Sequence, residues 1–266
     1  MPYSRRQFLG QSATVLMGLS CAPHAFAQIS GLNEAINKAG RQRMLSQRMA
    51  KAWLAAGQQI ESARAERILY DSMALFDRQF VELKAFAPTP DIRSTYQALD
   101  AVWSEYKSAL VGFSPAKQTA PQLIQLDSKV LALAHQGTVQ LEKHSGRSVG
   151  KLVNIAGRQR MLSQRMAKYY LSNAWGAAVP DQLTELNKAR QEFQTALDVL
   201  DSAPEATAAI HQELQLARQQ WVFFDNALQK LTESSAKPRH AVDVFSASER
   251  LLSVMDRVTG MYSKLV

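Results

Sequence analysis

Sulfur chemistry is almost absent from this chain: its one cysteine, Cys21, stands in a segment read below as a removable leader. Without it the protein has no disulfide, no thiol nucleophile and no thiolate metal ligand. Long hydrophobic runs are lacking as well. The apolar stretch Ala13 to Leu19 is far too short to span a bilayer, and no later segment is apolar enough to do so. No stretch keeps the two-residue alternation of a strand for long, so a sheet is not expected. Signatures of cofactor chemistry are missing too, with no Glu-x-x-His pair of a di-iron bundle and no C-x-x-C-H haem attachment site. His135, His144, His211 and His240 are scattered and read as helix-surface residues. Met44, Met49, Met161 and Met166 recur at helical spacing and read as core filler. No cofactor, no metal and no enzymatic activity is expected.

The first residues carry an address. Ser4-Arg5-Arg6-Gln7-Phe8-Leu9 precedes the short apolar run, and Ala25-Phe26-Ala27 follows as an A-x-A cleavage pattern. This arrangement resembles a twin-arginine export signal over residues 1–27, with the mature chain starting near Gln28 in the periplasm. Acylation of Cys21 is the competing reading, but Gly18 sits where a lipoprotein signal usually has Leu. The mature chain is expected to carry no integral membrane segment. Loss of Arg5 and Arg6 lowers the formal charge of +8 by two. The remaining basic balance is spread along the helices and reads as a mild preference for anions rather than as a nucleic-acid surface.

Helical periodicity runs from Leu32 to the end. Ile92, Tyr96, Leu99, Trp103, Tyr106 and Leu110 recur at spacings of four and three, which lays one apolar stripe along a helix. Leu69, Met73, Phe76, Phe80 and Leu83 do the same one helix earlier. Pro88-Thr89-Pro90-Asp91 separates the two, with Asp91 as the expected N-cap. The second half repeats the plan: Phe76 matches Phe193, Leu83 matches Leu200, Trp103 matches Trp221 and Leu131 matches Leu251, with Trp103 and Trp221 as core aromatics. The pattern predicts helices over 31–57, 62–86, 91–112, 121–144, 149–177, 181–201, 205–232 and 241–265. The fold class expected is all-α, two tandem four-helix-bundle units packed as an intramolecular pseudo-dimer, with units at 28–145 and 146–266. The junction Ser145-Gly146-Arg147-Ser148-Val149-Gly150 reads as a sharp turn that sends the two first helices in similar directions. A continuous helix through it is the competing possibility, since glycine costs only about 1 kcal/mol inside a helix.

Within this repeat, one segment is duplicated almost letter for letter. Asn37 to Lys51 reads NKAGRQRMLSQRMAK and Asn154 to Lys168 reads NIAGRQRMLSQRMAK, differing only at Lys38 and Ile155. Core packing tolerates apolar exchanges of similar volume, so near-identity in a segment rich in Arg, Gln, Ser and Gly points to a working site. At 3.6 residues per turn Ile36, Gly40, Arg43, Gln47, Ala50 and Leu54 share one face, and Val153, Gly157, Arg160, Gln164, Ala167 and Leu171 are its copy. Arg41 and Arg48 point elsewhere around the axis. If the boxes meet across a pseudo-two-fold axis, Arg43 and Arg160 face each other as two permanent cations. A small planar anion between them would turn repulsion into charge-assisted, fork-like hydrogen bonds, with room left by Gly40 and Gly157. The bland alternative makes the arginines surface residues and the glycines packing devices.

The box resembles the signature of the bacterial nitrate and nitrite sensor domain family, shared with the N-terminal domain of type IV pilus methyl-accepting chemotaxis transducers (PilJ-type). The resemblance implies a four-helix periplasmic unit that dimerises and holds an anion, nitrate in the sensor kinases, at the dimer axis by the Arg three residues after the box Gly. It thereby assigns Arg43 and Arg160 as ligand residues with Gly40 and Gly157 beside them; Gln47 and Gln164, on the same face, complete the candidate set. The box is closer to the pilus-transducer form than to the nitrate-kinase form, and this chain has neither a kinase nor a methyl-accepting region. The expected function is periplasmic capture of a small oxyanion, nitrate or nitrite, for a membrane sensor or transporter. The alternative is a structural or interaction module of the envelope or pilus system that binds no small ligand.

Overall fold

The computed structural model describes residues 29–177, 179–230 and 238–265. The expected leader at 1–27, Cys21 included, lies outside the described residues. Eight helices follow one another, α1 (Leu32–Gly57), α2 (Ser62–Phe86), α3 (Pro90–Gly112), α4 (Ala120–Ser145), α5 (Ser148–Ala174), α6 (Gln182–Asp201), α7 (Ala208–Gln229) and α8 (Pro238–Ser263), with no strand among the described residues.

Most helix starts lie within one residue of the sequence reading; α8 begins at Pro238 rather than 241, and two starts differ for capping reasons. Thr89, not Asp91, caps α3: its hydroxyl accepts the Ile92 N–H at 3.3 Å, and Pro90 occupies the first turn, where a missing N–H is harmless. Thr207 caps α7 in the same way through the Ile210 N–H at 3.3 Å, so that helix begins at Ala208 rather than 205.

The junction is a turn, and the continuous-helix alternative is overturned. α4 ends at Gly146, which takes the left-handed conformation (φ 61°) and donates its N–H to Glu142 O at 3.2 Å; Arg147 is extended, and α5 starts at once. A left-handed residue at this place is costly for any side chain with a Cβ. Gly146→Ala is expected to lose about 1 kcal/mol by urea denaturation, although no neighbour lies within 4 Å of the added methyl.

In each half the first helix packs on the second and fourth, and the third leans on the fourth, as α1 does with α2 and α4 and α5 with α6 and α8. Aromatic stacks repeat between halves: Phe76 lies on Trp103 at 4.0 Å between centroids and Phe193 on Trp221 at 4.6 Å. All four rings are buried. The longest seam in the molecule is between α1 and α5. These two run parallel: Ile36 packs by Gly150, Gly40 by Gly157, and the Gln58 side chain donates to Leu171 O at 3.2 Å. The protein is two tandem four-helix units joined along their first helices.

The fourth helices correct one match. Gln47 bonds Asp127 where Gln164 bonds Ser248, and Thr138 and Thr259 both bond the carbonyl four residues back. The equivalence is thus Val130 with Leu251, both fully buried, while Leu131 is only partly buried. Small insertions in the loops hide this one-residue change of register.

Candidate functional site

The boxes lie in α1 and α5, facing each other across their seam, because glycine at 40 and 157 lets the backbones approach. A Cβ on Gly40 would stand 3.9 Å from Gly157 Cα. The same point would be 3.1 Å from Arg43 Nη2 and 3.5 Å from Arg160 Nη2, and a Cβ on Gly157 would stand 3.2 and 3.7 Å from Arg160 and Arg43 Nη2. Both guanidiniums therefore crowd the place where the two helices touch. Each is 0 % exposed, which rules out the reading of solvated surface arginines.

Contacts at this layer are reciprocal. Arg43 Nη2 donates to Asn154 Oδ1 at 2.7 Å, and Arg160 Nη2 donates to Asn37 O at 3.0 Å, so each arginine reaches the first residue of the other box. Their second arms reach α4 and α8 at equivalent places: Arg43 Nη1 meets His135 Nδ1 at 3.2 Å and Arg160 Nη1 meets Asp256 Oδ1 at 2.5 Å. Asp256 also receives Arg41 Nη2 at 2.8 Å. Each guanidinium keeps its Nε–H without a partner.

Burial lowers the affinity of Arg43 for its proton, with the Arg158 and Arg160 charges adding to the effect and Glu142 and Glu192 opposing it, and brings the group to about 9. Burial and the neighbouring Arg41 charge bring Arg160 to about 10 against the pull of Asp256. Both stay cationic at neutral pH. Burial alone would raise the Asp256 carboxyl, but the Arg160 and Arg41 charges hold it down at about 2. His135 is pushed below its ordinary value by burial and then by Arg43 and Arg158. It is neutral at pH 7 and, facing an obligate donor, accepts at Nδ1.

One turn farther on, Gln47 and Gln164 are fully buried, but their amide N–H groups are engaged. Gln47 Nε2 donates to Ser46 Oγ at 3.1 Å and Asp127 Oδ1 at 2.7 Å; Gln164 Nε2 donates to Ser163 Oγ at 3.2 Å and Ser248 O at 3.0 Å. Only their Oε1 atoms lack partners. An anion has no use for such acceptors, so the structure brings Gly40, Gly157, Arg43 and Arg160 together and leaves the two glutamines as a polar floor.

Below the floor the box lysines cross between the halves. Lys168 pairs with Asp127 at 2.6 Å, and Lys51 pairs with Glu249 at 2.6 Å and bonds Ser248 Oγ at 3.0 Å. Burial lowers Lys51 to about 8. Conversely, burial would raise the Glu249 carboxyl, yet Lys51 and Arg48 hold it at about 2.

The sequence reading missed Asn37, Asn154, Lys51 and Lys168, although the duplication preserves them and so gave a signal. It also missed His135 and Asp256, for which there was none, because the two helices differ there. Arg41, set apart by its angle around α1, joins the site through Asp256.

An open cavity of about 460 Å³ lies beside this layer between α5 and α6, lined by Ile155, Arg158, Glu192, Ala196 and Val199 among others. Arg158 is ion-paired with Glu192 on its wall. Among the described residues no cluster of three or more His, Cys, Asp or Glu side chains forms a metal-binding group.

The family of N-terminal domains of type IV pili methyl-accepting chemotaxis transducers (PilJ) matches the sequence twice, over residues 25–129 and 144–245. No curated protein and no solved structure is significantly similar to the chain. Each matched segment contains one box and one helix whose Trp, Trp103 or Trp221, stacks on a Phe, and together they take in most of the sequence. The chain belongs to this PilJ family of sensory, non-catalytic domains, and carries its domain as two tandem copies.

Proposed function

We propose that the protein is a periplasmic receptor for a small oxyanion, nitrate or nitrite, held between Arg43 and Arg160 beside Gly40 and Gly157. In this reading residues 28–145 and 146–266 are the two sensor units, and the α1–α5 seam takes the place of a dimer interface between separate chains. Sensing domains of this family are periplasmic in transducers, and export would use the twin-arginine leader of residues 1–27. No helix among the described residues is long and apolar enough to cross a membrane, so the bound state would be read by a membrane-associated signalling partner, a sensor or a transporter.

One observation carries the reading. Two fully buried guanidiniums converge on one point, each with an unpaired Nε–H, and among the described residues only one carboxylate, Asp256, lies within ion-pair distance of either. Removing a charge from water costs several kcal/mol unless it is paired, and an unbonded buried donor adds to that. A planar anion supplies both the missing charge and the missing acceptors.

Nitrate has four heavy atoms, and the best tiny ligands reach about −1.5 kcal/mol per atom, which bounds the dissociation constant at tens of micromolar. Titration calorimetry of the mature chain with sodium nitrate is expected to show one anion per chain. Two anions per chain would mean that each box binds alone, against a shared site. Absence of heat with nitrate, nitrite and other small oxyanions would leave the fold as an interaction module without a small ligand.

A further inference from the structure

The two halves of the site are equivalent in position and unequal in charge. In the second half Arg160 is neutralised by Asp256, and Arg41 closes over the same carboxylate. In the first half the place of Asp256 is taken by His135, and among the described residues no carboxylate lies within ion-pair distance of Arg43. Arg158, the repeat-equivalent of Arg41, turns away to Glu192, which stands where the first unit has Leu75.

Access is unequal in the same sense. The one difference between the boxes, Lys38 against Ile155, goes with a second difference, Glu82 against Val199. Lys38 bridges Glu82 at 2.6 Å and Glu34 at 2.7 Å and closes its side with ions. Ile155 and Val199 leave apolar walls instead, and there the 460 Å³ cavity opens, next to Arg158. Arg43 donates to Asn154, the neighbour of Ile155 on the cavity wall, so this opening is on the Arg43 side.

Resting on the oxyanion reading above, we propose that the anion is held chiefly by Arg43 and approaches through the α5–α6 cavity. Arg160 is a positioning residue locked by Asp256. His135, which stands where the other half has a carboxylate, leaves Arg43 as the guanidinium of the pair with no carboxylate bonded to it, and this single free charge selects a monovalent anion over a divalent one.

The test compares Arg43→Ala, Arg160→Ala, His135→Asp, His135→Asn and Asp256→Asn, each checked for helicity by circular dichroism, in titrations with sodium nitrate and sodium sulfate. Arg43→Ala and His135→Asp are expected to weaken nitrate by about 100-fold, the loss of charge-assisted bonds to the ligand, and Arg160→Ala by less than about 10-fold. His135→Asn, a neutral acceptor, is expected to retain nitrate binding, and Asp256→Asn to gain measurable affinity for sulfate. Equal losses in the two arginine variants, or normal nitrate binding by His135→Asp, would overturn the proposal. A second readout needs no ligand: in anion-free buffer His135→Asp should melt at a higher temperature than the parent, because it supplies Arg43 with a counter-charge. If no anion binds the parent, the oxyanion reading fails. If His135→Asp then brings no rise in melting temperature, the charge asymmetry fails independently.

Discussion

Asp127→Ala is expected to destabilise the protein by about 3–5 kcal/mol, a large part of the 5–15 kcal/mol typical of a folded domain. The carboxylate is fully buried and holds two partners at once, the Lys168 ammonium at 2.6 Å and the Gln47 amide at 2.7 Å. Lys168 is 1 % exposed and comes from the other unit. Removing Asp127 therefore strands a cation inside the α1–α5 seam and breaks a link between the two halves. Thermal or urea unfolding measures the effect, and the pseudo-symmetry supplies its control. Across the seam Lys51 is held by Ser248 and Glu249 rather than by an aspartate. The double change Asp127→Ser with Ser128→Glu copies that arrangement and is expected to recover much of the loss. A loss below about 1 kcal/mol for Asp127→Ala would show that Lys168 finds water or another partner.

Nitrate is expected to raise the melting temperature by about 5–10 °C at a hundredfold excess over its dissociation constant. Such an excess of a ligand bound only by the folded state contributes about 2.7 kcal/mol, and a chain of this size gains about 2–4 °C per kcal/mol. Arg43→Ala should abolish the rise. The shift should be flat between about pH 7 and 8, because Arg43 and Arg160 lose their protons only near 9 and 10, and burial with the Arg43 charge holds His135 below its ordinary value. Differential scanning fluorimetry with sodium chloride as the ionic-strength control measures it. A rise that fades steeply across that range would place the binding charge on a histidine, against the paired arginines.

The helices were legible because each buries one stripe. Ile92, Tyr96, Leu99, Trp103, Tyr106 and Leu110 are all buried, as their spacing required. The boxes were legible because duplication preserved Gly40 with Gly157 and Arg43 with Arg160. The N-cap of α3 was misplaced by two residues, since Thr89 and Asp91 are both good caps and only the hydrogen bond to Ile92 decides between them.

By itself, then, the sequence determined an all-helical chain of two repeated units and the residue types of the shared face, for these follow from periodicity and from identity between repeats. Only the tertiary structure decided that α1 and α5 run parallel with their glycines in contact, that Arg43 borrows Asn154 and Arg160 borrows Asn37, and that Asp256 neutralises one arginine while His135 leaves the other charged. Those are contacts between residues about a hundred or more positions apart or at unlike places in the two repeats. No local spacing encodes them, because side chains become neighbours across a seam only when whole helices pack.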